Sequence, residues 1–206
     1  MRVFVDTCVW RHWFVYRIDR ARLSEALQAE SNSFSEIYNC VTLSLGKSRF
    51  LYNARIRAEL GERFEQSFEQ LVDPYAVKVP IPLTRMDGSY SLDGSFIFGG
   101  RMGGSLRALL EDSGYQQERA VAHAAESLQP GEALYDAAPR RREFDVEHME
   151  SALEAKADLF LTVDTRTILS PLQRTAANSA AGSPLQIMLN IAKTPREALH
   201  SWRAGA

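Results

Sequence analysis

Four acidic residues stand where strand ends and helix faces should carry them to one edge of a sheet: Asp6, Glu59, Asp145 and Asp164. Asp6 closes the apolar run RVFV (2–5), and Asp164 closes LFLTV (159–163); a threonine follows each. In an open parallel sheet the carboxyl ends of the strands line one crevice, and ligands bind there. Two buried strands that both end on aspartate therefore point to convergence, against the plainer reading that each caps the next helix. Glu59 falls in the second turn of a helix started by Asn53, after the strand RFLY (49–52); the alternative is a solvated helix glutamate like Glu62, Glu65 and Glu69. Asp145 sits at the start of the helix EFDVEHMESALEAKAD, one helix, one turn and one strand before Asp164. Its alternative role is a favourable interaction with the positive helix end.

Carboxylates crowded at one edge repel, and the strain is relieved by a raised pKa or by a bound cation. Hard oxygen donors suit Mg²⁺ or Mn²⁺. One or two such ions, roughly 4 Å apart, polarise a phosphodiester, generate hydroxide and steady the leaving oxygen. Asp6 and Asp164 are the expected direct ligands; Asp145 and Glu59 would hold a second ion or orient the attacking water. Thr7, Thr162 and Thr165 are placed to hold carboxylates or metal-bound water by hydrogen bonds, or simply to cap. Arg11, Arg55, Arg140, Arg141 and Arg142, with Lys47, Arg49, Arg57 and Arg166, are candidates for phosphate contacts or else solvated surface charges. Trp10, Trp13 and Tyr16 either stack on bases or pack a helix on the core.

The elements that must position these groups follow from patterning. Residues 2–5 read as a central strand, since the apolar positions run on without alternating. A helix covers 8–16; Asp19 starts another through 21–28. Ser33 and Glu36 have the form of a capping box for a helix that Gly46 stops. Asn53 begins one long helix ended by Asp73-Pro74, and residues 76–82, with their prolines, are confined to an edge. Asp93-Gly94 signals a hairpin in a glycine-rich stretch, followed by helices at 105–112 and 116–128 and a loop holding Pro130, Gly131 and Pro139. A helix at 144–156, a strand at 159–163, an Ala/Ser stretch at 175–183, a buried strand LQIMLNI (185–191) and a helix from Pro195 complete the chain. Strands alternating with helices give an α/β sandwich with a mostly parallel sheet.

The chain has 206 residues, 45% hydrophobic and 24% charged, with a net charge of −2, which excludes a grossly basic nucleic-acid binder but not a local basic groove. Cys8 and Cys40 are expected to be reduced core thiols, and no CxxC or HExxH spacing marks a structural zinc site. No apolar stretch is long enough to span a membrane and no leader pattern is read, so the expected location is the cytoplasm.

DTCVW (6–10), AELGERF (58–64), FDVEHMESALEAKADLFLTVDT (144–165) and SPLQIMLNIAKTPREAL (183–199) together resemble the PIN-domain family. Its most specific element here is Asp145, His148 and Ala152 followed by Thr162 and Asp164. The resemblance implies a three-layer α/β/α sandwich and, in many members, a Mg²⁺- or Mn²⁺-dependent ribonuclease. Many are toxins paired with a cognate antitoxin, and some are homodimers. The family's four acidic positions fall on Asp6, Glu59, Asp145 and Asp164, and the position of His148 is a scaffold residue. The chain is longer than compact members, so a single domain over 1–206 carries an insertion around 84–140, whose glycine-rich hairpin is expected to be a mobile cover over the site. Two readings follow: an endoribonuclease acting on RNA, or a catalytically inactive PIN-fold module that binds RNA or protein. A phosphatase of the haloacid-dehalogenase type is a poor fit, because Asp6-Thr7-Cys8 lacks the Asp-x-Asp it needs.

Overall fold

A computed structural model of the chain describes residues 1–44, 46–81, 106 and 137–204, with side chains between 137 and 143 excepted. The chain begins with β1 (Arg2–Val5), α1 (Thr7–Asp19), a 3₁₀ turn (Arg20–Arg22) and α2 (Glu25–Leu43). Then come β2 (Arg49–Tyr52), α3 (Ala54–Leu60), α4 (Glu62–Leu71), a second 3₁₀ turn (Asp73–Tyr75) and the edge strand β3 (Ala76–Lys78). Further along the chain follow α5 (Ala137–Glu154), β4 (Leu159–Leu161) and a π-type turn (Thr165–Leu169) that runs into α6 (Ser170–Ala176). The last elements are α7 (Pro184–Ile191), β5 (Ala192–Lys193) and α8 (Pro195–Ala204).

The five strands are all parallel, in the order β3-β2-β1-β4-β5. The chain therefore starts at the centre, builds outward through β2 and β3, then crosses to the other side of β1 for β4 and β5. That reversal falls between β1 and β4, where a parallel sheet opens a crevice at the carboxyl ends of its strands.

Short, unbroken apolar strands form because both faces are covered. Val3 pairs in register with Phe50, and Phe4 with Leu51 and Phe160. Since neighbours along a strand point to opposite faces, the two sets define the two sides. The Phe50 ring lies 5.3 Å from Trp10 and 5.7 Å from Tyr38, so its face is covered by α1 and α2. The Phe4 ring lies 5.6 Å from Phe160 and 6.3 Å from His148, so the opposite face carries α5. Helices on both sides of a parallel sheet give three layers. Trp10 and Trp13 are 0% and 1% exposed and interlock with Phe14 and Phe34. They are core residues, at about 1.5–3 kcal/mol for each large apolar side chain buried, and are not available to stack on bases.

Several boundaries differ from expectation. Residues 185–191 are the helix α7, not a strand: Ser183 caps it, Pro184 opens it, and Leu185 and Met188 are buried at helical spacing. The strand is only Ala192–Lys193. Ser33 lies in the interior of α2; its cap is Ser24, whose side chain accepts from the Leu27 N–H. Asp19 makes no cap and pairs instead with Arg22. The expected long helix after Asn53 is two, because Gly61 at φ 66°, ψ 179° breaks it into α3 and α4. Such a conformation belongs essentially to glycine. The helix expected from 144 starts at Ala137, so Asp145 lies inside it and not at its start, and Pro139 is accommodated in its first turn. Cys40 is exposed, not a core thiol, while Cys8 is half-buried; both are free. The hairpin at 93–94, the cover it was expected to form and the helices at 105–112 and 116–128 lie outside the described residues, apart from buried Leu106. Among the described residues no helix is long and apolar enough to cross a membrane.

Candidate functional site

Pairing of β1 with β4 continues one residue past the strand, through the Asp6 N–H to the Leu161 carbonyl at 2.9 Å. This holds Asp6 at the reversal point of the sheet, 3% exposed and in the extended conformation that starts α1. Its Oδ1 accepts from the Thr7 N–H at 2.8 Å. Its Oδ2 accepts from Thr162 Oγ1 at 2.9 Å and from the Cys8 thiol at 2.7 Å.

From Asp6 one hydrogen-bonded chain reaches the other three acids. Thr162 Oγ1 also accepts the Asp164 N–H at 3.0 Å. Asp164 caps the π-type turn, its Oδ1 accepting the Thr167 N–H at 2.7 Å. Thr167 Oγ1 then donates to Asp145 Oδ2 at 2.8 Å. In the other direction, Thr7 Oγ1 lies 3.4 Å from His148 Nε2. That nitrogen stands 3.5 Å from Glu59 Oε2. Glu59 is presented by α3, which Asn53 caps through its Oδ1 (Ile56 N–H at 3.1 Å) and which Arg11 clamps at the far end, Nη2 to the Glu59 carbonyl at 3.0 Å.

The electrostatics record crowding. Burial pushes Asp145 up to about 8, with the negative charges of Asp6 and Asp164 adding to it and the Thr167 hydroxyl and His148 opposing. Burial also raises Asp6, against His148, Cys8 and Thr162. Glu59 is held low: burial would raise it, but the His148 hydrogen bond, Thr7 and Arg11 outweigh that. The Cys8 thiol is pushed well up by burial and by the adjacent Asp6 charge, so it stays protonated and donates.

Among the described residues, no three Asp, Glu, His or Cys side chains are already gathered as a set of metal ligands. Their oxygens face the hydroxyl, thiol and N–H donors just named. The donor chemistry nevertheless fits a hard divalent cation. All four groups are carboxylates, burial and crowding are met at Asp6 and Asp145 only by raised pKa values, and Glu59 Oε1 is buried with no hydrogen bond, His148 Nε2 standing 3.5 Å away. A buried carboxylate oxygen with only a long contact to an imidazole is better met by a cation or a closer donor.

The remaining sequence candidates divide. Thr7 and Thr162 bond within the chain described above, whereas Thr165 is exposed at the start of the π-type turn. The hydroxyl that reaches an acid from that turn is Thr167, which sequence reasoning missed; its signal was its place three residues after the capping Asp164. Arg11 is exposed beside Glu59 and anchored to a carbonyl. Arg55 is tied to α5, with Nε 3.0 Å from Glu147 Oε2 and its guanidinium 4.1 Å over the Phe144 ring. Arg140, Arg141 and Arg142 lie in the first turns of α5, and their side chains are outside the described residues.

Thr162→Val keeps the shape of the side chain but strips Asp6 of a donor and the Asp164 N–H of its acceptor. Leaving buried polar groups unpaired should cost about 1–3 kcal/mol, read from the denaturant midpoint at constant m. An unchanged midpoint would remove Thr162 from the network.

No protein-family model matches this sequence, and neither a curated protein nor a solved structure is detectably similar to it.

Proposed function

We propose that the protein is a PIN-like, Mg²⁺- or Mn²⁺-dependent endoribonuclease that hydrolyses RNA phosphodiesters at the rim holding Asp6, Glu59, Asp145 and Asp164. The observation that carries this reading is the single hydrogen-bonded chain joining all four carboxylates at the reversal point of a parallel sheet. Carboxylates serving only as caps have no reason to be linked to one another across β1, α3, α5 and the turn after β4.

Asp6, Asp164 and Asp145 would hold the ion, with Glu59 closing the set through Oε1, which makes no hydrogen bond. When bound, a hard divalent cation supplies charge neutralisation at the phosphate and an activated water. The chain's own contribution is orientation. Thr162 and Thr7 fix the two oxygens of Asp6, Thr167 fixes Asp145, and the Asp164 backbone is fixed by Thr162. Arg11 offers positive charge at the edge of the site, where a polyanion must approach negative groups. Because Arg11 is tethered to a neutral carbonyl and not to a carboxylate, its charge is not spent within that contact. A cognate antitoxin, on the same reading, is a protein that covers this rim.

The test is incubation of the full chain with single-stranded RNA, with Mg²⁺ or Mn²⁺ and with excess chelator. Internal cleavage is expected only with the ion. Cleavage that survives chelation would contradict the proposal, and RNA binding without cleavage under any ion would move the assignment to an inactive RNA-binding module.

A further inference from the structure

His148 is fully buried between Glu59 and Asn53, and the hydrogen bonds around Asn53 leave little freedom in where its ring carries a proton. The Asn53 amide is oriented by two contacts independent of the histidine. Its Oδ1 must be the oxygen, because it accepts the Ile56 backbone N–H. Its Nδ2 then faces Ser151 Oγ at 2.9 Å, and that hydroxyl spends its own hydrogen on the Glu147 carbonyl at 2.7 Å, so it can only accept. The second Nδ2 hydrogen meets His148 Nδ1 at 3.2 Å. A donor facing Nδ1 requires that nitrogen to be the bare acceptor.

We propose that Asn53 locks His148 in the tautomer protonated at Nε2, and that His148 acts as a positioning residue whose Nε2–H aims the Glu59 carboxylate at the rim. Burial disfavours a second proton on the ring, while Glu59, Asp6 and Asp145 together favour it. That proton would set N–H against N–H at 3.2 Å, and the amide cannot turn over without giving up both Ile56 and Ser151. Geometry therefore decides in favour of the neutral ring. The tautomer stands on these contacts alone; only what Glu59 is aimed at rests on the carboxylate-site reading. The arrangement resembles metal-site histidines, where the partner of one ring nitrogen sets the chemistry of the other, but here the histidine holds a carboxylate in place of an ion.

The experiment is long-range ¹H–¹⁵N correlation NMR on the full chain labelled with ¹⁵N-histidine, with His148 assigned by the signal lost in His148→Gln. The wild type should show a protonated Nε2 and a bare Nδ1. Asn53→Asp should put a proton on Nδ1, since aspartate keeps the cap on α3 but presents an acceptor to the ring. Glu59→Gln should shift the Nε2–H resonance. A protonated Nδ1 in the wild type overturns the proposal, as does a spectrum indifferent to Asn53→Asp or to Glu59→Gln. A Mn²⁺ titration followed by loss of the free-ion electron paramagnetic resonance signal reads the consequence. His148→Phe should weaken binding about 10-fold or more, as for other outer partners of ligands. His148→Gln, which retains an N–H, should stay within about 3-fold of wild type, and equal loss in both variants overturns the positioning role. Failure of the wild type to bind Mn²⁺ while the tautomer pattern holds would defeat the nuclease reading and leave the Asn53–His148 lock standing.

Discussion

An Asp6→Asn variant should fold normally and cleave RNA at least about 100-fold more slowly than the wild type at saturating Mg²⁺. Asparagine caps a helix as well as aspartate does, so its Oδ1 can still accept the Thr7 N–H that starts α1. Its amide can donate toward Thr162 and Cys8 in place of accepting from them. What is lost is one negative charge at the point where β1 and β4 meet. Replacing mere supporting partners of a metal ligand commonly costs 10–100-fold, so loss of a ligand itself sets the lower bound at the top of that range. Initial rates against ion concentration, beside a circular-dichroism melt, check both halves. A folded Asp6→Asn protein with wild-type rates would contradict a cation site at this rim.

Asp145→Asn should remove activity as well, yet make the ion-free protein more stable. In the unfolded chain Asp145 gives up its proton near 3.8; in the folded protein burial and neighbouring acids defer this to about 8. Between those values the folded state holds more protons than the unfolded one, so stability falls as pH rises through the window. At about 1.4 kcal/mol per pH unit, the penalty at neutral pH amounts to several kcal/mol in the limit. Asparagine does not ionise and still accepts from Thr167 Oγ1. A gain of about 2 kcal/mol or more is expected at pH 8, which corresponds to roughly 4–8 °C in Tm for a chain of this size. Near pH 4 the two proteins should converge. Mg²⁺ should stabilise the wild type, by about 2.7 kcal/mol at a hundredfold excess over its Kd, and should not stabilise the variant. Calorimetry at pH 4 and 8, with and without Mg²⁺, reads all of this. A variant less stable than wild type at pH 8 without the ion would show that Asp145 is stabilised by its neighbours and not strained by them.

The sheet was legible because its strands are short apolar runs with hard stops: RVFV ends on Asp6, RFLY on Asn53 and LFL shortly before Asp164. Continuous apolarity marks strands buried on both faces. The same signal misleads at LQIMLNI, which is apolar nearly all round and reads equally as strand or helix. There the Ser183-Pro184 start decides for α7. Pro139 was read as loop punctuation, although the first turn of a helix tolerates proline, so α5 began later in the reading than in the fold. The spacing of Thr167 from Asp164 marks a cap but not the contact with Asp145, which depends on a π-type turn, in which the Leu169 N–H reaches back to the Asp164 carbonyl at 3.1 Å. No residue pattern specifies such a turn. The lock on His148 depends on which way an amide faces, and that is fixed by contacts from α3 and α5 that are far apart in sequence.

The most direct measurement is anomalous diffraction from a crystal of the wild-type chain soaked in Mn²⁺. A peak bounded by carboxylate oxygens of Asp6, Asp145 and Asp164, with Glu59 turned toward it, is the predicted result. Oxygens still held by Thr162, Thr167 and Cys8, with no anomalous peak at the meeting point of β1 and β4 in Mn²⁺ sufficient for any RNA cleavage observed, would contradict it.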